Sequence, residues 1–306
     1  MVAPAIGGLL NLNKERGPTS HDVVDVARRA LGTSRVGHAG TLDPAAHGVL
    51  LILFERVTRL ARFFQEYRKQ YRFVAKLGAE TSTGDDEGEV LYERDVPGSA
   101  YDALTAVARS FVGEIAQEVP KFSAVKRDGE PLYRRARRGE AVSAPTRAVN
   151  VYRLDIEKVE PPTFTAFVES GGGMYVRALA RDIGRKLGVG AYVVDLGRLA
   201  VGPFVLAHAL PQARLTDAAL DELLASPHFT PAAELLPELA AAKLSAAEVE
   251  DVAHGRAVAA PAGARVGEAV RLVAPDGGLV GVGETAAGGR VKPDAVLVTP
   301  DELESR

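Results

Sequence analysis

Apolar positions recur along the chain at two spacings. Gly8 to Asn13 is a short apolar segment and predicts a strand. Val23, Val26, Ala27, Ala30 and Leu31 then recur at helical spacing, with Thr19 and Asp22 placed as a capping box before them and Gly32 after them. Val49 to Phe54 is an unbroken apolar run, which predicts a buried strand, and Gln70 to Leu77 alternates as a strand should. Leu104, Val107, Ala108, Phe111 and Val112 predict a helix face, opened by Ser99 with Asp102 and closed by Gly113. Val149 to Val159 and Thr163 to Glu169 predict strands. Val176, Leu179, Ala180, Ile183 and Leu187 form a further helix face that Gly188 ends. Residues 209–240, rich in Ala, Leu and Pro, predict a helical connector.

From Lys243 the pattern changes. Ser245 and Glu248 cap a short helix ending at His254-Gly255, and short β-like runs follow at Ala269–Ala274, Leu279–Val282 and Ala295–Val298. These predict a small, mainly β terminal module. The alternation of strand and helix signals upstream predicts an α/β fold, without deciding between a parallel and an antiparallel sheet.

Composition narrows the chemistry. The 306 residues suffice for one large or two ordinary domains. With no cysteine, disulfides, thiolate metal sites and cysteine nucleophiles are excluded. No apolar run reaches membrane-spanning length and no basic segment precedes an apolar one at the N-terminus, so neither a membrane helix nor a signal peptide is expected. The net charge is −3, unpromising for a polyanion ligand, but it is unevenly spread. Residues 231–306 carry 7 Lys/Arg and 12 Asp/Glu. Residues 121–147 carry Lys121, Lys126, Arg127, Arg134, Arg135, Arg137, Arg138 and Arg147 against three acids. Such local basic density, in what reads as a long exposed insertion, is the footprint of a nucleic-acid contact. A second basic stretch, residues 56–76, interleaves cations with Tyr67, Tyr71 and Phe73, a pattern suited to stacking on bases beside a phosphate backbone.

One loop stands out as a place for chemistry. Gly37 to Leu50 reads Gly-His-Ala-Gly-Thr-Leu-Asp-Pro-Ala-Ala-His-Gly-Val-Leu, so glycines and a proline bracket a single carboxylate, Asp43, just before the apolar run. The loop lacks the Gly-Lys-Ser/Thr ending of a phosphate-binding loop, and His38 and His47 have no Glu or Cys at zinc-like spacing. Further on, Gly171-Gly-Gly opens a helix whose first turn carries Arg177. The helix dipole disfavours a cation there, so Arg177 is expected to face a carboxylate or a phosphate.

Five segments, in order, resemble the bacterial tRNA pseudouridine synthase B (TruB) family. They are Asn13–Ser20, Gly37–Leu50, Lys69-Gln-Tyr-Arg-Phe73 with Leu77–Gly88, Gln117–Lys126, and Gly173-Met-Tyr-Val-Arg177. The resemblance covers most of residues 8–205, and the tail is similar to the PUA RNA-binding module. It implies an α/β (α+β) catalytic domain over residues 8–232 with a mixed, largely antiparallel sheet. It also implies an RNA-binding insertion at about 119–147 and a PUA-like domain over 240–303. Asp43 matches the family's catalytic aspartate. Tyr71, Tyr175, Arg177, His38 and Leu196 match residues placed around the target base. Lys121, Lys126, Arg127, Arg134, Arg135, Arg137 and Arg138 fall in the insertion that closes over RNA. Val119, Phe122, His47 and Met174 depart from the usual residues of these motifs, at positions that shape loops more than chemistry.

The implied activity is isomerisation of uridine 55 in the tRNA T-loop, in the cytoplasm, by a monomer without an obligatory protein partner. Uridine to pseudouridine trades an N–C glycosidic bond for a C–C bond, with no net redox change or hydrolysis, so no cofactor and no metal are expected. A carboxylate could attack the ribose C1′, attack the base C6 or remove the C2′ proton, and all three routes need the same ionised Asp43. A neighbouring Arg177 would favour that charged form. Two other readings share the fold: a non-catalytic RNA chaperone, and a synthase subunit guided by a separate RNA.

Overall fold

The structure is a computed structural model that describes residues 6–300 apart from 121, 124, 128, 139, 141–143 and 218. An eleven-stranded sheet forms its centre. The strands run in the order Leu210–Pro211, Gly8–Lys14, Ala46–Phe54, Ala191–Val201, Lys69–Leu77, Thr163–Ser170, Thr146–Glu160 and Gly113–Glu118, with three short strands added beside this path. Two contacts are parallel, Leu12 with Leu210 and Leu196 with Ala46; the other pairings are antiparallel. The mixed, largely antiparallel sheet that the resemblance implied is therefore present.

The continuous apolar run of Ala46–Phe54 has a direct cause. Side chains alternate across a strand, and here both faces are covered. Leu50, Ile52 and Phe54 point into a core shared with the helices Ser20–Leu31, Gly98–Arg109 and Val176–Lys186. Val49, Leu51 and Leu53 point the other way, into a second core completed by Leu279, Val282, Ala295 and Leu297 of the C-terminal module. Each of the fully buried Val, Leu, Ile and Phe side chains contributes about 1.5–3 kcal/mol, so the module is built onto the sheet through the strand that follows the Asp43 loop.

The module itself is a five-stranded sheet, Ala240–Lys243, Ala269–Val273, Leu279–Ala286, Arg290–Val296 and Val258–Ala259, with the helix Ala246–Ala253 against it. Both expected capping boxes are formed. Thr19 and Asp22 cap Ser20–Leu31, which ends at the left-handed Gly32, and Ser245 and Glu248 cap Ala246–Ala253.

Four expectations are corrected. The helix Gly98–Arg109 is preceded by Pro97 with no side-chain cap, so Ser99 and Asp102 do not open it, and Val112 lies beyond its end, exposed. The connector 209–240 holds two short helices, Gln212–Asp217 and Leu220–Ala225, flanked by strands that pair with Gly8–Lys14. The insertion contains a small hairpin, Lys126–Arg127 with Glu130–Pro131, and the helix Leu132–Arg137, seated by Leu132 against Val119.

The basic stretch 56–76 is not a free cationic face. Arg56 and Arg59 donate to the carbonyls of Leu297 and Val296, and Arg62 pairs with Asp294, all in the C-terminal module. Arg68 and Arg72 pair with Glu169 and Glu157, and Phe73 is fully buried. Charge count alone could not show that these cations are held by other parts of the same chain.

Candidate active site

The Asp43 loop is shaped by its backbone hydrogen bonds. Ser20, in the first turn of its helix, accepts from the Leu42 amide and donates to the Leu42 carbonyl, both at 2.9 Å. Lys14, at the end of its strand, donates to the carbonyls of Asp43, Pro44 and Ala46 at 3.1, 3.4 and 2.7 Å. Arg198 donates to Gly40 at 3.0 Å, Thr41 at 3.4 Å and Val49 at 2.7 Å. Buried carbonyls need such partners, so two fully buried cations hold the loop by its main chain. Gly48 is required for the approach of Arg198: at its φ of +106° a Cβ would lie 2.2 Å from the Arg198 carbonyl oxygen.

The carboxylate of Asp43 stays one-third exposed and meets Arg177, whose Nε lies 2.9 Å from Oδ2. This Nε–H has no hydrogen-bond partner, so the contact is one of charge. The remaining nitrogens are used elsewhere: Nη1 donates to the Thr83 carbonyl at 2.6 Å and Nη2 to the Phe122 carbonyl at 3.1 Å. Asp85 Oδ2 is 3.5 Å from Nη1. A guanidinium could meet Asp43 with two parallel hydrogen bonds; here the fork instead grips two carbonyls, and only the inner nitrogen faces the acid. The expectation that a carboxylate answers Arg177 on its first turn is met by two, Asp43 and Asp85.

A cavity of about 280 Å³ opens at Asp43. Of the residues expected around the target base, His38, Tyr71, Tyr175, Arg177 and Leu196 all line it. Tyr71 is buried opposite Arg198, its cross-strand partner, and burial holds its hydroxyl above the usual tyrosine range. Burial, and then Arg198, holds the His38 imidazole below its usual range. Tyr175 is fixed by its backbone: the fully buried Gln117 accepts from its amide at 2.8 Å and donates to its carbonyl at 3.1 Å. Lys69 also lines the cavity, bound to the carbonyls of Gln65 and Tyr67, and burial lowers its ammonium to about 8.

Of the insertion cations, Arg134, Arg135 and Arg138 do not line this cavity. Lys121 lies outside the described residues, as do the side chains of Lys126, Arg127 and Arg137. Arg135 is paired with Glu140, and Arg138 with both Glu130 and Glu140. Arg134 is exposed.

Lys14, Lys69, Asp85, Gln117 and Arg198 had no role assigned from the sequence. Two were within reach of the alternation rule. Arg198 lies two residues beyond Leu196 and Lys69 two before Tyr71, so each shares a strand face with a residue already placed at the base.

Known proteins resemble this chain over nearly its whole length. Residues 28–176 match the model of the TruB family pseudouridylate synthase N-terminal domain. Residues 177–236 match the tRNA pseudouridylate synthase B C-terminal domain, and 240–297 the pseudouridine synthase II TruB C-terminal model. The tRNA pseudouridine synthase B of Pseudomonas aeruginosa (strain UCBPP-PA14) is 38% identical over 303 residues, covering 97% of each chain. That of Burkholderia mallei (strain NCTC 10247) is 39% identical over 304 residues, covering 98% of this chain and 99% of the relative. Among solved structures, a chain of a Cbf5-Nop10-Gar1 complex superposes with a TM-score of 0.73 at 27% identity, covering 97% of this chain and 86% of that one. A chain of an H/ACA RNP bound to a substrate RNA containing 2′-deoxyuridine gives 0.72 at 25%, covering 97% and 87%. With its sheet, its Asp43 loop and its C-terminal module matched in sequence order, this chain belongs to the TruB family of pseudouridylate synthases.

Proposed function

We propose that the chain converts uridine 55 in the T-loop of tRNA to pseudouridine, with Asp43 as the catalytic carboxylate. The observation that carries this reading is the cavity in which Asp43, Arg177, Tyr71 and Leu196 meet. The reaction breaks the N1–C1′ bond, forms a C5–C1′ bond, removes the proton from C5 and leaves one on N1. It needs a carboxylate held in place, a dry wall for a detached ring and a group to keep the carboxylate charged. Tyr71, Leu196 and Met174 offer the apolar wall, and Arg177 the charge. Flipping a stacked uridine out of its loop costs roughly a few kcal/mol, which His38, the insertion and the PUA-like module over 240–303 offset by holding RNA. The enzyme works in the cytoplasm as a monomer.

Identity of 38–39% to enzymes named for tRNA, against 25–27% to chains from RNA-containing or multiprotein particles, favours tRNA as substrate. The test is to incubate purified protein with an unmodified T-arm stem–loop and assay pseudouridine. Turnover by the protein alone, at the loop uridine, is expected. Binding without turnover would leave the chaperone reading, and turnover only with an added guide RNA the particle reading.

A further inference from the structure

Uracil presents two carbonyls and one N–H at its edge, and the cavity must meet them with polar groups that are free to do so. Its three cationic side chains, Arg198, Arg177 and Lys69, are committed. Each of the three guanidinium nitrogens of Arg198 is bound to a main-chain carbonyl. Both terminal nitrogens of Arg177 are bound likewise, and its Nε faces Asp43. Lys69 is held by two carbonyls.

Among the described residues, three buried polar atoms of the cavity lining have no hydrogen-bond partner: His38 Nδ1, Arg177 Nε, which faces Asp43, and Ser123 Oγ, the hydroxyl of the three, on a residue only 5% exposed. Leaving a buried hydroxyl unpaired is costly, and it is tolerated where a ligand completes the bond. The residue before it fixes its place, because the Phe122 carbonyl accepts from Arg177 Nη2. Ser123 thus rides on the start of the basic insertion while being tied to the arginine beside Asp43.

We propose that Ser123 is a substrate-contacting specificity residue whose hydroxyl donates a hydrogen bond to a carbonyl of the flipped uracil. The proposal rests on the uridine-isomerising function proposed above and adds that the base is read by the insertion as well as by the sheet. It separates stability from activity. Removing an unpaired buried hydroxyl leaves the free protein as stable as before or more stable, whereas loss of a merely structural serine destabilises it.

The experiment compares wild type with Ser123→Ala on T-arm stem–loops carrying uridine, 2-thiouridine or 4-thiouridine at the target position. Single-turnover rates at saturating enzyme, RNA affinity and thermal unfolding are measured for each protein. On uridine, Ser123→Ala is expected to lose about tenfold or more in rate, equivalent to about 1.4 kcal/mol, with affinity within threefold and an unfolding temperature not lowered. Sulfur is the poorer acceptor, so the deficit is expected to shrink at least threefold on one thio-substrate, which identifies the carbonyl. A deficit equal on all three substrates, a lowered unfolding temperature, or a wild-type rate on uridine each overturns the assignment. If wild type itself fails to turn over uridine, the functional reading fails, and the proposal with it; if only the Ser123 comparison fails, that reading stands.

Discussion

Replacing Arg177 by Lys tests whether the arginine serves Asp43 or the RNA. In the folded protein Nε stands 2.9 Å from Asp43 Oδ2, while Nη1 and Nη2 hold Thr83 and Phe122. At an effective dielectric of about 20, unit charges at that distance attract by about 6 kcal/mol, a ceiling. Asp43 is one-third exposed and Asp85 shares the arginine, so about 2 kcal/mol is the working figure, or roughly thirtyfold in rate. A lysine keeps the charge but ends in one nitrogen, which cannot face Asp43 and hold two divergent carbonyls at once. Arg177→Lys is therefore expected to lose about 10- to 100-fold in single-turnover rate, with RNA affinity within threefold. Arg177→Met, lacking the charge as well, loses at least about 100-fold. The assay is rapid-quench turnover of a tritiated or radiolabelled stem–loop at saturating enzyme, which separates chemistry from binding. A Lys variant within threefold of wild type, or a loss of affinity that accounts for the whole loss of rate, would refute the ion-pair argument and assign Arg177 to phosphate.

Asp43→Asn keeps shape and removes charge, so it should abolish turnover while leaving RNA affinity within about tenfold, or about 1.4 kcal/mol, as measured by filter binding. In the insertion, neutralising exposed Arg134 should flatten the dependence of log K on log salt by about 0.7 if it meets a single-strand phosphate. Neutralising Arg138, already paired with Glu130 and Glu140, should flatten it less; equal effects would show that those pairs open on RNA. Lys69 should leave a signature in stability. Burial lowers its ammonium to about 8 from 10.5, so between those pH values the unfolded chain holds a proton that the folded chain lacks. That makes the Lys69 contribution to folding rise with pH from about 8 to about 10.5. Urea melts of Lys69→Met across that window should show a slope less positive than wild type by up to about 1.4 kcal/mol per pH unit, and parallel slopes would contradict the shift.

What the sequence shows most clearly is what neighbours decide. The two capping boxes, the strand Ala46–Phe54 and the helix Val176–Lys186 rest on short-range spacing, and they form close to where spacing places them. Asp43, Tyr71 and Arg177 come from three distant segments, and only the resemblance joined them; no local rule brings a loop, a strand and a helix start together. The basic stretch 56–76 shows the limit from the other side. Its cations have the composition of an RNA-binding face, yet Arg56, Arg59 and Arg62 dock the C-terminal module, because a carbonyl or a carboxylate of the same chain satisfies a guanidinium as well as a phosphate does. Lys14, Gln117 and Arg198 escaped notice because their partners are main-chain atoms, which have no letter in the sequence.

Those main-chain partners explain how a site can be strongly cationic without silencing its own carboxylate. A lysine or arginine bonded directly to both oxygens of Asp43 would hold it charged but would also occupy the lone pairs that chemistry needs. Lys14 and Arg198 bind instead to the carbonyls of Asp43, Pro44, Ala46, Gly40 and Thr41, so they fix the loop and leave the side chain alone. Their charges still reach it: the negative charge of Asp43 works against the burial that lowers both cations. The attraction is mutual, so the loop carries a standing positive field toward Asp43 before any RNA arrives. A field built into a desolvated framework costs no reorganisation when charge moves. On this argument the two buried cations and Arg177 divide the work. Lys14 and Arg198 place the loop, and among the described residues Arg177 is the cation that pairs with the carboxylate, through Oδ2, at the cavity in which the uridine is proposed to sit.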